Sequence, residues 1–436
     1  MITAALMFPA LFALILLGLP VAFSLVLVSV GAGLVAFGMI GFNQLYGSFY
    51  SASTNFILSA IPMFILMGAL LERSGIAERL FCVMNMWLGR LPGGLALATI
   101  AMGAVFAAAA GVVGAVEVMI GMMAIPAMQR ARYSNTLIAG TICAGGSLGT
   151  MIPPSVIAVM YASLAQMSVG KLLAGMMLPG LMMVVLFLAY IVIHGWLFPP
   201  EAQPNDPPEE QFALSEKLWM TFTTLVPVFL LIFAVLGSIL GGIASPTEAA
   251  AVGAAGALVL CIVNRRFNGA VLKESLAITV RISAMILLIV AAGTMFMGAF
   301  AANGGARLIR EFIDGTGLGA TGMIVFFLLV VFVLGFVLDW TANVLICVPL
   351  FMPFIRSSGI DPIWFATLVL IVIQTGYLTP PMASSIFYLK SIAPPDMTYG
   401  EMCRGVLPFI ALQVLTLLLI VMFPELATWL PEKLVQ

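Results

Sequence analysis

The chain has 436 residues, 63% of them hydrophobic and 8% charged, with a formal net charge of −1. Soluble domains carry about 25% charged residues, so this composition excludes an ordinary soluble protein and indicates a chain that crosses a membrane many times. The near-zero charge gives no reason to expect a nucleic-acid partner.

The first charged residue is Glu72. No basic segment opens the N-terminal apolar run, and the run outlasts a signal peptide, so it reads as retained membrane segments. Residues 3–38 exceed one span of roughly 20 residues and break at Gly18-Leu19-Pro20, giving two spans or one kinked helix. Residues 57–71 form a short span, and a charged interfacial helix follows with Glu72, Arg73, Glu78, Arg79 and Arg90. Residues 93–128 are apolar with a small-residue centre, the length of two half-depth helices meeting at a tip, and short for two full spans. The stretch 134–165 contains a break, and 172–198 is a full span. Residues 199–217 hold a Pro-rich, acidic linker near the middle of the chain. Spans follow near 218–242 and 246–264, then an amphipathic link at 265–281 and a span at 284–301. A second hairpin occupies 318–355, with its tip around Asp339 to Asn343. A second break lies in 363–390 and a last span in 404–430.

The two breaks match. Gly149-Thr150-Met151-Ile152-Pro153-Pro154 and Gly376-Tyr377-Leu378-Thr379-Pro380-Pro381 are offset by 376 − 149 = 227 residues, and Pro126/Pro353 and Tyr161/Tyr388 share that offset. Proline lacks an N–H and clashes with the preceding turn, so neither segment continues a helix. Backbone freed at membrane depth is tolerated only inside protein or beside a water-filled cavity. Broken helices in matching halves point to an ion and substrate site in a secondary transporter.

The expected fold is therefore an all-α polytopic membrane protein with inverted repeats, each carrying a re-entrant helical hairpin and a broken helix. The expected division is a fixed frame of 1–56, 166–283 and 393–436 around moving repeats at 57–165 and 284–392. Arginine flanks place the entry of the first hairpin on the cytoplasmic side. Cations want carbonyl and hydroxyl oxygens, and anions are drawn to helix N-termini. Candidate sodium ligands in the first half are Gly111, Val113, Ser147, Gly149 and Thr150. In the second half they are Asp339, Thr341 and Ala342 at the hairpin, with Thr375, Gly376 and Thr379 at the break. Candidate substrate contacts are Gly114, Glu117, Ser155, Asn343 and Met382.

An ionisable group in the bilayer costs at least ~2.5–3.5 kcal/mol, so Glu117 and Asp339 each either cap a hairpin helix through its dipole or bind a cation. Ser245-Pro246-Thr247-Glu248 reads as a helix start with a capping box. His194, the single histidine, lacks partner ligands and reads as an interface residue. The five scattered cysteines form no CxxC and read as small apolar residues. No nucleophile-base pair or phosphate loop is present in the sequence, which argues against an enzyme. A respiratory-complex subunit would need a line of midplane Lys, Glu and His that this chain lacks.

Longer stretches carry a family resemblance: Ser245-Pro246-Thr247-Glu248-Ala249-Ala250-Ala251-Val252-Gly253-Ala254, Gly145 to Ser155, Ile61-Pro62-Met63-Phe64, and Leu71-Glu72-Arg73-Ser74-Gly75. Leu338-Asp339 with Thr341-Ala342 adds to them. In these the chain resembles the large membrane subunit of tripartite ATP-independent periplasmic (TRAP) transporters. The resemblance implies uptake of a small organic anion coupled to two or more sodium ions by an elevator motion in a bacterial inner membrane. It implies two partners, a small four-helix membrane subunit and a periplasmic substrate-binding protein. The first tip, Gly111-Val112-Val113-Gly114, is similar to the branch often labelled for mannitol or chloroaromatic compounds, which includes 2-oxo acid carriers, rather than to the Ser-Gly-Ser-Ser-like tip of sialic-acid and dicarboxylate branches. The alternative is a stand-alone ion-coupled di- or tricarboxylate carrier of the same superfamily.

Overall fold

The structure, a computed structural model, describes residues 2–110, 113–198, 213–316 and 319–434. Every regular element among them is helical. Eight helices are long and apolar enough to cross a membrane, and four shorter apolar helices accompany them. The chain is a multi-pass membrane protein.

Local chemistry sets the helix ends. The N-terminal run divides into Ile2–Leu16 and Val21–Phe37. Gly18 stands between them at φ 89°, a left-handed conformation open to glycine, and Pro20 follows. Ser134, Ser168, Ser245 and Thr398 each accept a hydrogen bond from the backbone N–H three residues on, the usual satisfaction of an exposed first turn. The link at 265–281 and the span at 284–301 are one 34-residue helix, Gly269–Ala302. No proline falls between 269 and 302 and the first interior glycine is Gly293, so nothing in the sequence ends the helix between the two. The expected linker is also shorter on its far side, because Leu214–Leu240 is already helical from 214.

Each half runs through the same sequence of elements. A hairpin of Gly94–Ala110 and Val113–Arg130 precedes Asn135–Ser147 and Val156–Leu164 in the first half. A hairpin of Ala320–Leu334 and Trp340–Ser357 precedes Pro362–Leu378 and Ser384–Lys390 in the second. At 1.5 Å per residue the first arms, of 17 and 15 residues, are about 25 and 22 Å long, short of a ~30 Å hydrocarbon core. A single long helix closes each half, Val169–Leu197 and Tyr399–Met422.

The packing groups the helices differently from the expected division of the chain. Val169–Leu197 and Tyr399–Met422, expected in the frame, lie against the hairpins and broken helices. Conversely, the Ala60–Arg73 helix, expected with the repeats, packs on Pro246–Val263 and Gly269–Ala302. Most of the packing falls within two groups, residues 2–88 with 213–316 and residues 94–197 with 320–434, and the seam between them is made chiefly by Ile76–Leu88 on Gly94–Ala110 and by Gly269–Ala302 on Trp340–Ser357. Exposed polar contacts pin the first group at one end, where Arg73 donates to Glu274 at 3.3 Å and Arg79 to Asn264 at 3.2 Å.

Glycines bring the second group together. A Cβ on Gly140 would lie 2.1 Å from the carbonyl oxygen of Gly405, and one on Gly405 would lie 2.1 Å from that of Thr136. Both obstacles are backbone, so Asn135–Ser147 and Tyr399–Met422 touch without side chains between them. Gly405→Ala is expected to destabilise the protein by the ~1–3 kcal/mol of an overpacked core, read as a lower Tm of the purified protein. Gly400→Ala, on the same helix and facing open space, serves as the control and should leave Tm unchanged.

Candidate functional site

Both breaks have the same anatomy. After Ser147 one tight turn, Leu148–Thr150, leads into a non-helical stretch that ends at Ser155. After Leu378 the chain is non-helical to Ala383. Each contains a cis Pro–Pro bond, Pro153–Pro154 and Pro380–Pro381. Hydroxyls add hydrogen bonds to backbone carbonyls around both breaks. Thr150 Oγ1 donates to Ser147 O and Ser155 Oγ to Thr150 O, both at 2.8 Å. Thr375 Oγ1 donates to Ile371 O at 2.8 Å and Thr379 Oγ1 to Thr375 O at 2.6 Å.

The two broken helices meet at equivalent positions. Gln374 Nε2 donates to Ser147 Oγ at 3.3 Å in a fully buried contact, and 374 − 147 = 227, the repeat offset. Residues in equivalent positions touch where an internal two-fold relation brings the repeats face to face. The short second helices are exchanged: Val156–Leu164 packs on the second hairpin and Ser384–Lys390 on the first. Tyr388 lies over the first tip, so close that a Cβ on Gly114 would stand 2.6 Å from its Cζ. Its counterpart Tyr161 donates to Met352 Sδ at 3.8 Å on the second hairpin.

The second tip turns one step earlier than the sequence suggested. Gly335–Leu338 makes the turn, Asp339 is the N-cap, and Thr341, Ala342 and Asn343 already belong to the Trp340–Ser357 helix. The Asp339 carboxylate accepts from Thr341 N at 3.1 Å. Asn343 ties the hairpin arms, donating to Val331 O at 2.8 Å and accepting from Cys347 Sγ at 3.2 Å. A cavity of about 20 Å³ opens between this tip and the second break, lined by Gly335, Asp339, Asn343, Gly376, Tyr377 and Ser384. That is room for one water-sized occupant, which needs ~10–15 Å³. Two buried oxygens of the paired halves, Thr341 Oγ1 and Gln374 Oε1, have no hydrogen-bond partner among the described residues. Unsatisfied buried polar atoms are costly.

Glu117 is a link rather than a cap. It is fully buried in the second turn of Val113–Arg130, accepting from Ser385 Oγ at 2.7 Å and Tyr377 OH at 3.5 Å instead of from its own helix. The remaining candidates spread around the two breaks. Ser147, Gly149, Thr150, Ser155 and Thr375 are buried there, and Met382 is 37% exposed in the second break. Gly111 lies outside the described residues, as does Val112 at the expected first tip; Val113 begins the second arm and Gly114 is half-buried.

A family model described as "Tripartite ATP-independent periplasmic transporter, DctM component" matches residues 8–426. The chain belongs to this family. It is 30% identical over 387 residues to the C4-dicarboxylate TRAP transporter large permease protein DctM of Pseudomonas aeruginosa, covering 88% of each chain. It is 30% identical over 429 residues to the ectoine TRAP transporter large permease protein TeaC of Halomonas elongata, covering 96% of each. Among solved structures its fold is similar to the YdaH transporter of Alcanivorax borkumensis, with a TM-score of 0.63 at 15% identity, covering 94% of this chain and 96% of that one.

Three polar residues of the candidate site are not singled out by the sequence: Gln374, Tyr377 and Ser385. Gln374 was detectable as a polar residue at the repeat offset from Ser147, and Ser385 as part of a Ser-Ser pair directly after the second break. His194 packs against Tyr190 and Phe198, and no group of His, Cys, Asp and Glu fit to hold a metal occurs among the described residues.

The box at Ser245 is complete, with Glu248 Oε2 accepting from Ser245 N at 2.8 Å and Ser245 Oγ accepting from Glu248 N at 3.3 Å. Glu248→Gln keeps an acceptor for Ser245 N and is expected to retain substrate uptake and its ion dependence. Ser245→Ala should destabilise the protein by about 1 kcal/mol, measured as a fall in Tm. A large shift in ion dependence for Glu248→Gln would assign Glu248 to transport instead.

Proposed function

We propose that this chain is the translocating subunit of a sodium-coupled importer of small organic anions in a bacterial inner membrane. It would work with a small four-helix membrane subunit and a periplasmic binding protein, as the tripartite family description invites. One observation carries the reading: the two broken helices meet at equivalent positions, with oxygen-lined space between the second break and its hairpin tip. Irregular backbone at membrane depth in matching halves is how secondary transporters hold coupling ions. Sodium ions at the two breaks are drawn to Ser147, Gly149 and Thr150 in one and to Thr341, Thr375, Gly376 and Thr379 in the other.

An organic anion suits the same place. No Lys or Arg among the described residues is buried, so a carboxylate would be held by helix N-termini and hydroxyls. Relatives named for C4-dicarboxylates and for ectoine stand at the same 30% identity, so likeness alone does not select the acid. The moving body would be residues 94–197 with 320–434, sliding against 2–88 with 213–316. The first hairpin would open to the cytoplasm and the second to the periplasm.

The reading is tested by reconstituting the three proteins in liposomes and offering a panel of small carboxylates, 2-oxo acids included. Uptake should occur with all three components and fall to background without the binding protein. Full uptake by this chain alone would favour a stand-alone carrier.

A further inference from the structure

We propose that Glu117 couples cation binding at the second break to the position of the first hairpin. The proposal rests on the cation reading above and adds a residue that transmits its effect. Glu117 belongs to the first hairpin, yet both of its oxygens are held by the second half. Tyr377, which donates to it at 3.5 Å, stands just before the second break, and Ser385, which donates at 2.7 Å, stands just after. The carboxylate therefore bridges both lips of that break.

Each donor is tied to the small cavity. Tyr377 lines it, and Ser385 follows Ser384, which also lines it. An occupant that orders Gly376, Tyr377 and Ser384 fixes the two hydroxyls, and the hydroxyls fix Glu117. The Glu117 stem also crosses the first broken helix. A Cβ on Gly146 would lie 1.8 Å from Glu117 Cγ, one residue before Ser147. One side chain thus contacts both broken helices and the first hairpin.

The bridge has no counterpart on the other side. At the 227-residue offset Glu117 corresponds to Val344 (117 + 227), Ser385 to Ala158 (385 − 227) and Tyr377 to Thr150 (377 − 227). The two-fold relation between the repeats is therefore not kept at this link. Burial of an ionisable group at such depth is costly, and two hydroxyl donors offset that cost only while the second break keeps its shape. Coupling between sites is reciprocal, so loosening the link weakens sodium binding as well as freeing the hairpin.

The test uses the purified complex of this chain with its membrane partner and sodium chloride against potassium chloride. The sodium concentration giving half of the full Tm rise is measured for wild type, Glu117→Ala, Ser385→Ala, the double variant and Glu117→Gln. Each alanine variant should raise that concentration about fivefold or more, the low end of typical coupling. The double variant should add little to the larger single effect, and Glu117→Gln, still an acceptor for Ser385, should restore most of the affinity. Ser385→Ala removes one hydroxyl oxygen and carries the test if Glu117→Ala does not fold. Spin labels at Met122 and Leu407, both exposed, should give a distance distribution that sodium narrows in wild type and not in Ser385→Ala. Unchanged sodium midpoints in both alanine variants, or effects that multiply in the double variant, overturn the coupling. A wild-type complex whose Tm ignores sodium overturns the cation reading and the coupling together.

Discussion

Replacing sodium by potassium on both sides of the membrane is expected to reduce substrate uptake to the background seen without the binding protein. The reason lies in what the paired breaks leave unsatisfied. At the first break hydroxyls answer two backbone carbonyls, Thr150 that of Ser147 and Ser155 that of Thr150. Thr341 Oγ1 and Gln374 Oε1 remain without a hydrogen-bond partner in the described residues. An anionic substrate brought there without cations would add negative charge to a site lined by oxygens. With two sodium ions and a monoanion the cycle moves one net positive charge inward. Such a cycle gains about 2.3 kcal/mol from each 100 mV of inside-negative potential. Uptake should therefore rise with valinomycin-imposed potential when sodium is present and stay at background when it is absent. Full uptake driven by a proton gradient in sodium-free buffer would defeat this account.

The backbone-level features of this site were legible in the sequence because proline and glycine impose them. Pro153-Pro154 and Pro380-Pro381 fix where each helix stops whatever surrounds them, and the structure has both stops. The Ser245 box was equally local. What failed to show was what depends on contacts between distant segments. Glu117 looked like a cap because its neighbours in sequence are a helix start, but its partners lie 260 and 268 residues away. The packing partners of the closing helices were hidden for the same reason. A long apolar helix reads alike whether lipid or protein surrounds it, and the Gly140–Gly405 approach that seats Tyr399–Met422 on the first broken helix is made by two glycines with no sequence signal linking them. The hairpin tip at Asp339 was misplaced by a few residues because Asp339 serves as both the end of a turn and the N-cap of the next helix.

A disulfide between the two packing groups is expected to abolish transport, and a cross-link inside a group is not. The seam between the groups is crossed by Gly269–Ala302 against the second hairpin, where a Cβ on Gly293 would lie 3.0 Å from Leu345 Cβ. Disulfides want ~3.5–4.5 Å between Cβ atoms, so a small displacement seats a bond between Gly293→Cys and Leu345→Cys. Gln129 and Asp396, whose side chains are hydrogen-bonded at 3.3 Å, provide the control inside the second group, joined as cysteines by a short reducible bifunctional thiol reagent that spans the gap the two side chains fill. All five native cysteines must first be replaced, Cys143, Cys261 and Cys347 with small residues because all three are buried. If residues 94–197 and 320–434 carry the site across the membrane as one body, the Gly293–Leu345 bond holds that body at one end of its travel. Uptake then falls to background on oxidation and returns on reduction. The Gln129–Asp396 cross-link spans no moving surface and should leave uptake near the level of the cysteine-free protein. The two pairs separate rival motions as well. If the hairpins alone opened and closed while Val169–Leu197 and Tyr399–Met422 stayed with the frame, the Gln129–Asp396 cross-link, which joins the first hairpin to the segment entering Tyr399–Met422, would be the one that stops transport. Intact uptake with Gly293–Leu345 oxidised would end the description of these two groups as frame and moving body.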